Sequence, residues 1–130
     1  MYLATTEEIK VSVEPFYLED QSEPEEGHFV FAYHIKIENH GGRTVQLINR
    51  HWQITDGLGR TQEVRGPGVV GEQPVLAPGE MFEYTSGCPL ATPTGIMAGT
   101  YEMETNNGDR FDVIIPAFSL DSPNVRNHIN

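Results

Sequence analysis

The stretch GHFVFAYHIKIENH, residues 27–40, has the clearest strand pattern in this chain. Its large apolar residues alternate with smaller or polar ones, a spacing of two that is typical of a β-strand with one buried face. We therefore predict a half-buried strand here. The apolar residues are Phe29, Phe31, Tyr33, Ile35 and Ile37, and the intervening ones are Val30, Ala32, His34, Lys36 and Glu38.

Six further segments resemble this strand, because each is rich in aromatic or β-branched residues and is bounded by Gly, Asn, Asp or Pro. They span residues 9–14, 43–56, 60–65, 81–86, 99–106 and 110–115. Turn sequences separate several of them, notably Gly41-Gly42 and Asn107-Gly108, which tolerate positive φ. No segment repeats its apolar residues every 3.6 positions, and prolines interrupt the second half of the chain. The sequence thus predicts an all-β protein.

About seven short antiparallel strands in a chain of 130 residues suit an immunoglobulin- or fibronectin type III-like β-sandwich. A barrel is the alternative. If Gly41-Gly42 closes a two-residue hairpin, the strands on either side of it pair with each other, and Trp52 lies opposite Phe31 in the core. The same register pairs Ile35 with Ile48 and Phe29 with Ile54.

Composition limits the functions to consider. A chain of 130 residues is of single-domain size, and its 19 acidic and 8 basic residues give a formal charge of −11. A field of this sign repels phosphate backbones and anionic lipids, so we expect neither nucleic acid nor membrane as a partner. No apolar run approaches the roughly 20 residues that span a bilayer. A single cysteine, Cys88, and a start without a leader-like pattern favour a cytoplasmic location.

Two segments are predicted to lie outside the packed strands. Residues 19–26 hold five acids in eight positions, which favours an exposed, solvated loop. Residues 121–130 lack an apolar pattern and are predicted to form a flexible tail. The packed core is then expected within about residues 7–120 of one domain.

The segment Gly66-Pro67-Gly68-Val69-Val70-Gly71 matches G-x-G-x-x-G, a pattern found in dinucleotide-binding loops. Such a loop must open a helix, and the prolines that follow this one exclude a helix there. The loop could instead bind pyrophosphate or a nucleotide through its backbone amides, without a helix. Its candidate ligand-binding residues are Arg60, Arg65, Gly66, Gly68 and Gly71. The alternative is that the glycines only let a long connection turn tightly.

Metal binding and catalysis find little support in the sequence. The predicted register places His51 diagonally across from His34, with Asn49 opposite His34, but no third ligand is evident. Cys88 precedes a proline in a predicted loop, with no basic neighbour to activate its thiol. No nucleophile, base and orienting group are recognisable together. We therefore expect no catalytic residue, no metal site and no cofactor.

Several longer segments resemble the bacterial ApaG family. They are the run Val64-Arg65-Gly66-Pro67-Gly68-Val69-Val70-Gly71-Glu72-Gln73-Pro74 together with residues 50–56, 76–79, 82–87, 99–103 and 115–118. The resemblance covers about residues 7–120. It implies a fibronectin type III-like sandwich. The family is also called CorD, and the resemblance under that name implies a link to cobalt and magnesium homeostasis. The family's gene tends to accompany that of a diadenosine tetraphosphate hydrolase.

Related domains in eukaryotic F-box proteins and in a polymerase-delta-interacting protein imply a protein-protein interaction module. Our leading interpretation is therefore a non-catalytic cytoplasmic module, monomeric or homodimeric, that binds an unknown protein or peptide. An edge strand of the sandwich could pair with an extended peptide. Two alternatives stay open, namely pyrophosphate or nucleotide binding by the loop at residues 66–71, and divalent cation binding.

Overall fold

The alternating residues of the stretch at 27–40 form β3 (Phe29–Asn39), in which every odd-numbered side chain is buried and, of the even-numbered ones, only Ala32 is. The structure is a computed structural model that describes residues 1–123. Two short 3-10 helices, Glu19–Gln21 and Pro24–Glu26, lie in the acidic segment. The other strands are β1 (Tyr2–Thr6), β2 (Ile9–Tyr17), β4 (Val45–Asp56), β5 (Thr61–Pro67), β6 (Val75–Leu76), β7 (Met81–Leu90), β8 (Thr94–Thr105) and β9 (Arg110–Asp121).

The strands form two antiparallel sheets packed face to face. The first sheet has the order β1-β2-β3-β7, and the second has the order β5-β4-β8-β9 with β6 also paired to β4. The predicted antiparallel sandwich is therefore confirmed, with nine strands in the described residues instead of about seven. The two extra strands, β1 and β6, are short, and neither has a long alternating pattern.

The core lies between the sheets and is built from the inward-facing residues of both. Its largest fully buried side chains include Tyr101, Phe31 and Phe118, one of them from the first sheet and two from the second. Trp52 is also buried, at 3% exposure, and packs edge-on against Tyr33. Its predicted burial is confirmed.

The predicted pairing of β3 with β4 is wrong. The strand β3 pairs with β2 and β7, so both of its edges are occupied, and Phe31 lies opposite Cys88 instead of Trp52. Trp52 pairs with Val64 and Gly99 in the other sheet. Residues 40–44 therefore form an arch between the sheets. The pairs Ile35–Ile48 and Phe29–Ile54 of the predicted hairpin do not form either.

A buried asparagine explains the arch. Asn39, 1% exposed, donates from Nδ2 to the carbonyl oxygens of Arg43 (2.7 Å) and Leu76 (3.0 Å), and its Oδ1 accepts from the Gly41 amide at 2.9 Å. These bonds satisfy polar groups that would be costly to bury unpaired. They hold residues 40–44 in a conformation that passes from one sheet to the other, which a two-residue hairpin could not do.

Three other segments differ in detail from their predicted positions. Cys88 lies in β7, not in a loop, and its side chain is buried. The predicted tail overlaps the end of β9, and Ser122 is buried at 2% exposure, while residues 124–130 lie outside the described part of the chain. The acidic residues of the segment at 19–26 are exposed, as predicted.

One side of the sandwich is closed and the other is open. On the closed side the edge strands β1 and β9 contact each other. Thr6 Oγ1 accepts from the Ile114 amide at 3.1 Å, and the Tyr2 hydroxyl lies 3.0 Å from Ser119 Oγ. The other two edge strands, β7 and β5, therefore lie on the opposite side. Within residues 1–123 no helix is long and apolar enough to cross a membrane.

Candidate functional site

The segment at residues 66–74, which we call the clamped loop, connects β5 to β6 on the open side of the sandwich. Val69 anchors it in the core, with 1% exposure. Val69 and Glu72 exchange two backbone hydrogen bonds, of 2.8 and 2.9 Å, around a tight turn. A hypothetical Cβ on Gly68 would lie 2.2 Å from the Glu72 carbonyl oxygen, so the closeness of the chain requires glycine there.

Arg50 holds the base of this loop. Its side chain lies over Gly66, and Nη1 donates to the carbonyl oxygens of Pro67 (3.0 Å) and Gly68 (2.9 Å). Ile48 adds two more bonds, since its carbonyl oxygen accepts from the Gly68 amide and from Gln73 Nε2. Together these contacts fix the loop on β4. Local sequence does not single out Arg50 for this role, because its acceptors lie 17 and 18 residues further along the chain.

The structure separates the residues predicted to bind an anion. Arg60 donates from Nε to Asp56 Oδ2 at 2.8 Å, just before β5 begins, whereas the clamped loop follows the other end of β5. The strand rise puts these two ends roughly 20 Å apart. Arg65 and Gly66 do lie together at the loop, where Arg65 is 3.8 Å from Glu63.

Several amides of the clamped loop are already engaged. Those of Gly68, Val69 and Glu72 donate within the protein, and Pro67 has no amide hydrogen. Within the described residues, the amides of Val70 and Gly71 at the tip of the turn and that of Gln73 have no hydrogen-bond acceptor. A phosphate-binding loop needs several converging amides, and three amides of this loop instead stabilise its own conformation.

A shallow depression of about 510 Å³ lies beside the loop on the outer face of the second sheet. Acidic side chains, Glu102 and Asp112, share it with Arg65. His51 Nε2 lies 2.9 Å from Glu63 Oε1, and this contact is the main reason that the pKa of Glu63 is lowered. Because both signs of charge meet here, the depression suits neutral hydrogen-bonding groups better than a strong anion. The lining residues are Asn49, Arg50, His51, Arg65, Gly66, Pro67, Thr100, Glu102 and Asp112.

The predicted proximity of His34 and His51 is wrong, because they lie on different sheets. His34 is on β3, where Nδ1 is 2.9 Å from Thr85 Oγ1, and His51 is on β4. Asn49 is likewise not opposite His34 and instead donates to Glu102 Oε1 at 2.7 Å. Among residues 1–123, no three His, Cys, Asp or Glu side chains are grouped so that they could hold a metal ion.

A buried tyrosine pair connects the base of the loop with β7. The hydroxyls of Tyr84 and Tyr101 lie 2.5 Å apart between the sheets. Burial raises the pKa of both, and the nearby Arg50 charge partly opposes this for Tyr84. Tyr101 pairs with Arg50 across β4 and β8, so the tyrosine pair connects the strand that holds the loop with β7.

The strand β7 presents a free edge. The Asn39 amide donates to the Glu80 carbonyl oxygen, which fixes the alternation of the β3–β7 ladder. Amides of even-numbered residues from 82 to 90 then point toward β3. Those of Met81, Glu83, Thr85 and Gly87 point away, and none of them donates to another described residue. Pro89, which lacks an amide hydrogen, occupies the next outward position, as expected of an edge strand.

Comparison with known proteins assigns the chain to a family. The sequence profile described as "ApaG domain" matches residues 19–105. The chain is 64% identical to Protein ApaG of Paramagnetospirillum magneticum and 64% identical to that of Rhodospirillum centenum, in each case over 130 residues and the whole of both chains.

Solved structures agree with this assignment. The crystal structure of the ApaA protein of Bordetella pertussis superimposes with a TM-score of 0.86 at 56% identity, covering 88% of this chain and 94% of that one. The C-terminal domain of wzt shares only 11% identity at a TM-score of 0.56, over 93% of this chain and 77% of that one, and shows similarity of fold alone. With the matched profile, the full-length relatives and this superposition in agreement, the chain belongs to the ApaG family.

Proposed function

We propose that this protein is a non-catalytic cytoplasmic binding module that recognises an extended segment of another protein by adding it as a strand to β7. The observation that carries the proposal is the row of outward amides at Met81, Glu83, Thr85 and Gly87. An extended peptide can satisfy these groups and the carbonyls beside them with backbone hydrogen bonds.

The character of β7 supports the choice of this edge over the others. Proteins usually protect long edge strands with charges, bulges or coverage, because an open edge invites pairing with another chain. The edges of β1 and β9 contact each other, and β5 carries both Glu63 and Arg65 in seven residues. By contrast β7 is ten residues long and its only charged residue is Glu83.

The negative charge of the chain favours a segment of another protein, instead of a second copy of this chain, as the strand added to β7. Two copies would each bring a formal charge of −11, and pairing of β7 with itself would bring the two Glu83 side chains to the same interface. A basic or neutral segment would meet no such repulsion. Any effect on cobalt or magnesium handling would then act through the partner.

The experiment compares two variants at one outward position. Thr85→Pro removes one outward amide, and we expect it to fold because Pro89 already occupies the same row. Thr85→Val keeps the amide. Both lose the contact between Thr85 Oγ1 and His34, so they are matched in that respect. We expect a protein purified with the wild type and identified by mass spectrometry to bind Thr85→Val normally and Thr85→Pro at least tenfold more weakly.

Two results would contradict the proposal. One is equal affinity of the partner for Thr85→Pro and Thr85→Val, with both variants folded by circular dichroism. The other is that no stoichiometric protein copurifies with the wild type under gentle conditions.

A further inference from the structure

The turn at the tip of the clamped loop has a conformation that its sequence does not favour. Val70 has φ +43° and Gly71 has φ +81°, and the flanking Val69 and Glu72 exchange both of their backbone hydrogen bonds. Positive φ at both central residues defines a type I′ turn. Asn-Gly and Asp-Gly are the preferred pairs for that turn, whereas a β-branched residue at positive φ is a steric outlier.

The side chain of Val70 receives no compensation inside the protein. It is 54% exposed and does not join the hydrophobic core, unlike its neighbour Val69. A second type I′ turn, Glu7-Glu8, also has two non-glycine residues at positive φ, but there Glu7 pairs with Arg43 at 3.3 Å. The strained turn thus places an apolar side chain, that of Val70, in solvent.

The clamped loop holds this group rigidly. The Arg50 bonds, the Ile48 bonds and the buried Val69 side chain lie directly beside the turn. A contact held in one conformation before binding loses little entropy when a partner engages it. Strained residues that persist in this way cluster at functional sites, where the surrounding structure determines their conformation.

We propose that Val70 is a contact residue that inserts into an apolar pocket with a basic rim on the protein partner. This inference rests on the proposed function and adds a second contact, separate from the edge of β7. The apolar pocket follows from the valine side chain. The basic rim follows from charge, because Glu72 in the same turn is exposed and forms no ion pair with the described residues, and the chain carries a formal charge of −11.

The test substitutes the residue that the turn prefers. Val70→Asn should relieve the strain and raise the melting temperature by about 2 to 5 °C. The same variant should bind the purified, identified partner at least tenfold more weakly than the wild type does, as expected of a central apolar contact. Val70→Ile keeps an apolar side chain and should retain the affinity within about threefold.

Leu58 offers a matched control, because it is an exposed apolar turn residue, at 72% exposure, without positive φ. Leu58→Asn should leave both the melting temperature and the affinity nearly unchanged. A photoreactive amino acid at position 70 should cross-link to a pocket on the partner lined by apolar residues and bordered by Lys or Arg. The same amino acid at position 58 should not cross-link there.

The outcomes separate this inference from the function on which it rests. If Thr85→Pro abolishes binding while Val70→Asn binds like the wild type, strand addition stands and the contact at Val70 is excluded. If Val70→Asn lowers the melting temperature, Val70 is not strained and the contact proposed for it is excluded. If the wild type has no partner, both proposals fail together.

Discussion

Trp52 shows how one residue supports the whole sandwich. Its ring centroid lies 5.3 Å from that of Tyr33 in the first sheet and 6.0 Å from that of Phe118 in the second. We expect Trp52→Ala to lower the free energy of unfolding by about 3 to 5 kcal/mol, a large part of the roughly 5 to 15 kcal/mol of a typical domain. Urea denaturation measures this loss.

The neighbouring residue provides the control for Trp52. His51 lies on the opposite face of β4 and contacts Glu63 at the surface, so His51→Ala should change the free energy of unfolding by no more than about 0.5 kcal/mol. Equal effects of the two substitutions would show that Trp52 does not support the core.

Buried ionisable groups predict a loss of stability at high pH. Burial raises the pKa of Cys88 to about 11 and raises those of Tyr84 and Tyr101 above their usual 10. In the unfolded chain these groups release protons at lower pH than in the folded protein. The stabilisation is therefore complete below about pH 9 and decreases as the pH rises further.

Urea denaturation at pH 8, 9, 10 and 11 measures this dependence. In Cys88→Ala we expect the decrease to begin nearer pH 10, because only the tyrosines contribute. A free energy of unfolding that stays constant to pH 11 would contradict the assignment of these groups as buried and neutral.

At the scale of the strand, the pairing of β4 with β8 depends on a glycine. Gly99 pairs with Trp52 where the β8–β9 register shifts, and a Cβ there would lie 2.2 Å from the His51 carbonyl oxygen. Gly99→Ala must push the two strands apart, which we expect to cost about 1 to 3 kcal/mol. Thermal denaturation measures the effect. Gly42→Ala is the control, since a Cβ there has no neighbour within 4 Å, and an equally large effect in that variant would refute the explanation.

At the scale of the whole molecule, charge opposes folding. With 19 acidic and 8 basic residues, the compact state repels itself more than the expanded chain does. Raising NaCl from about 0.01 to 0.2 M shortens the Debye length from roughly 30 to below 8 Å, so the melting temperature should rise. Differential scanning calorimetry measures the shift. A fall would mean that the ion pairs, such as Arg110 with Glu104, outweigh the net repulsion.

The order of apolar and polar residues was enough to predict the all-β class and the positions of seven strands. Each of these follows from which side chains are apolar and how they alternate, since alternation reports the buried face of a strand. The five acids among residues 19–26 likewise predicted that this segment is exposed. The family also follows from sequence, because the long run through residues 64–74 is distinctive.

Which strands are neighbours follows from the three-dimensional packing and not from local sequence. Strand pairing uses backbone groups that every residue shares, so the pattern at residues 27–40 fits a hairpin with β4 as well as an arch over it. The buried bonds of Asn39 decide in favour of the arch. The open edge of β7, the clamp of Arg50 and the strained conformation of Val70 follow from contacts between segments distant in sequence. For this reason the candidate binding surface could not be derived from local sequence patterns.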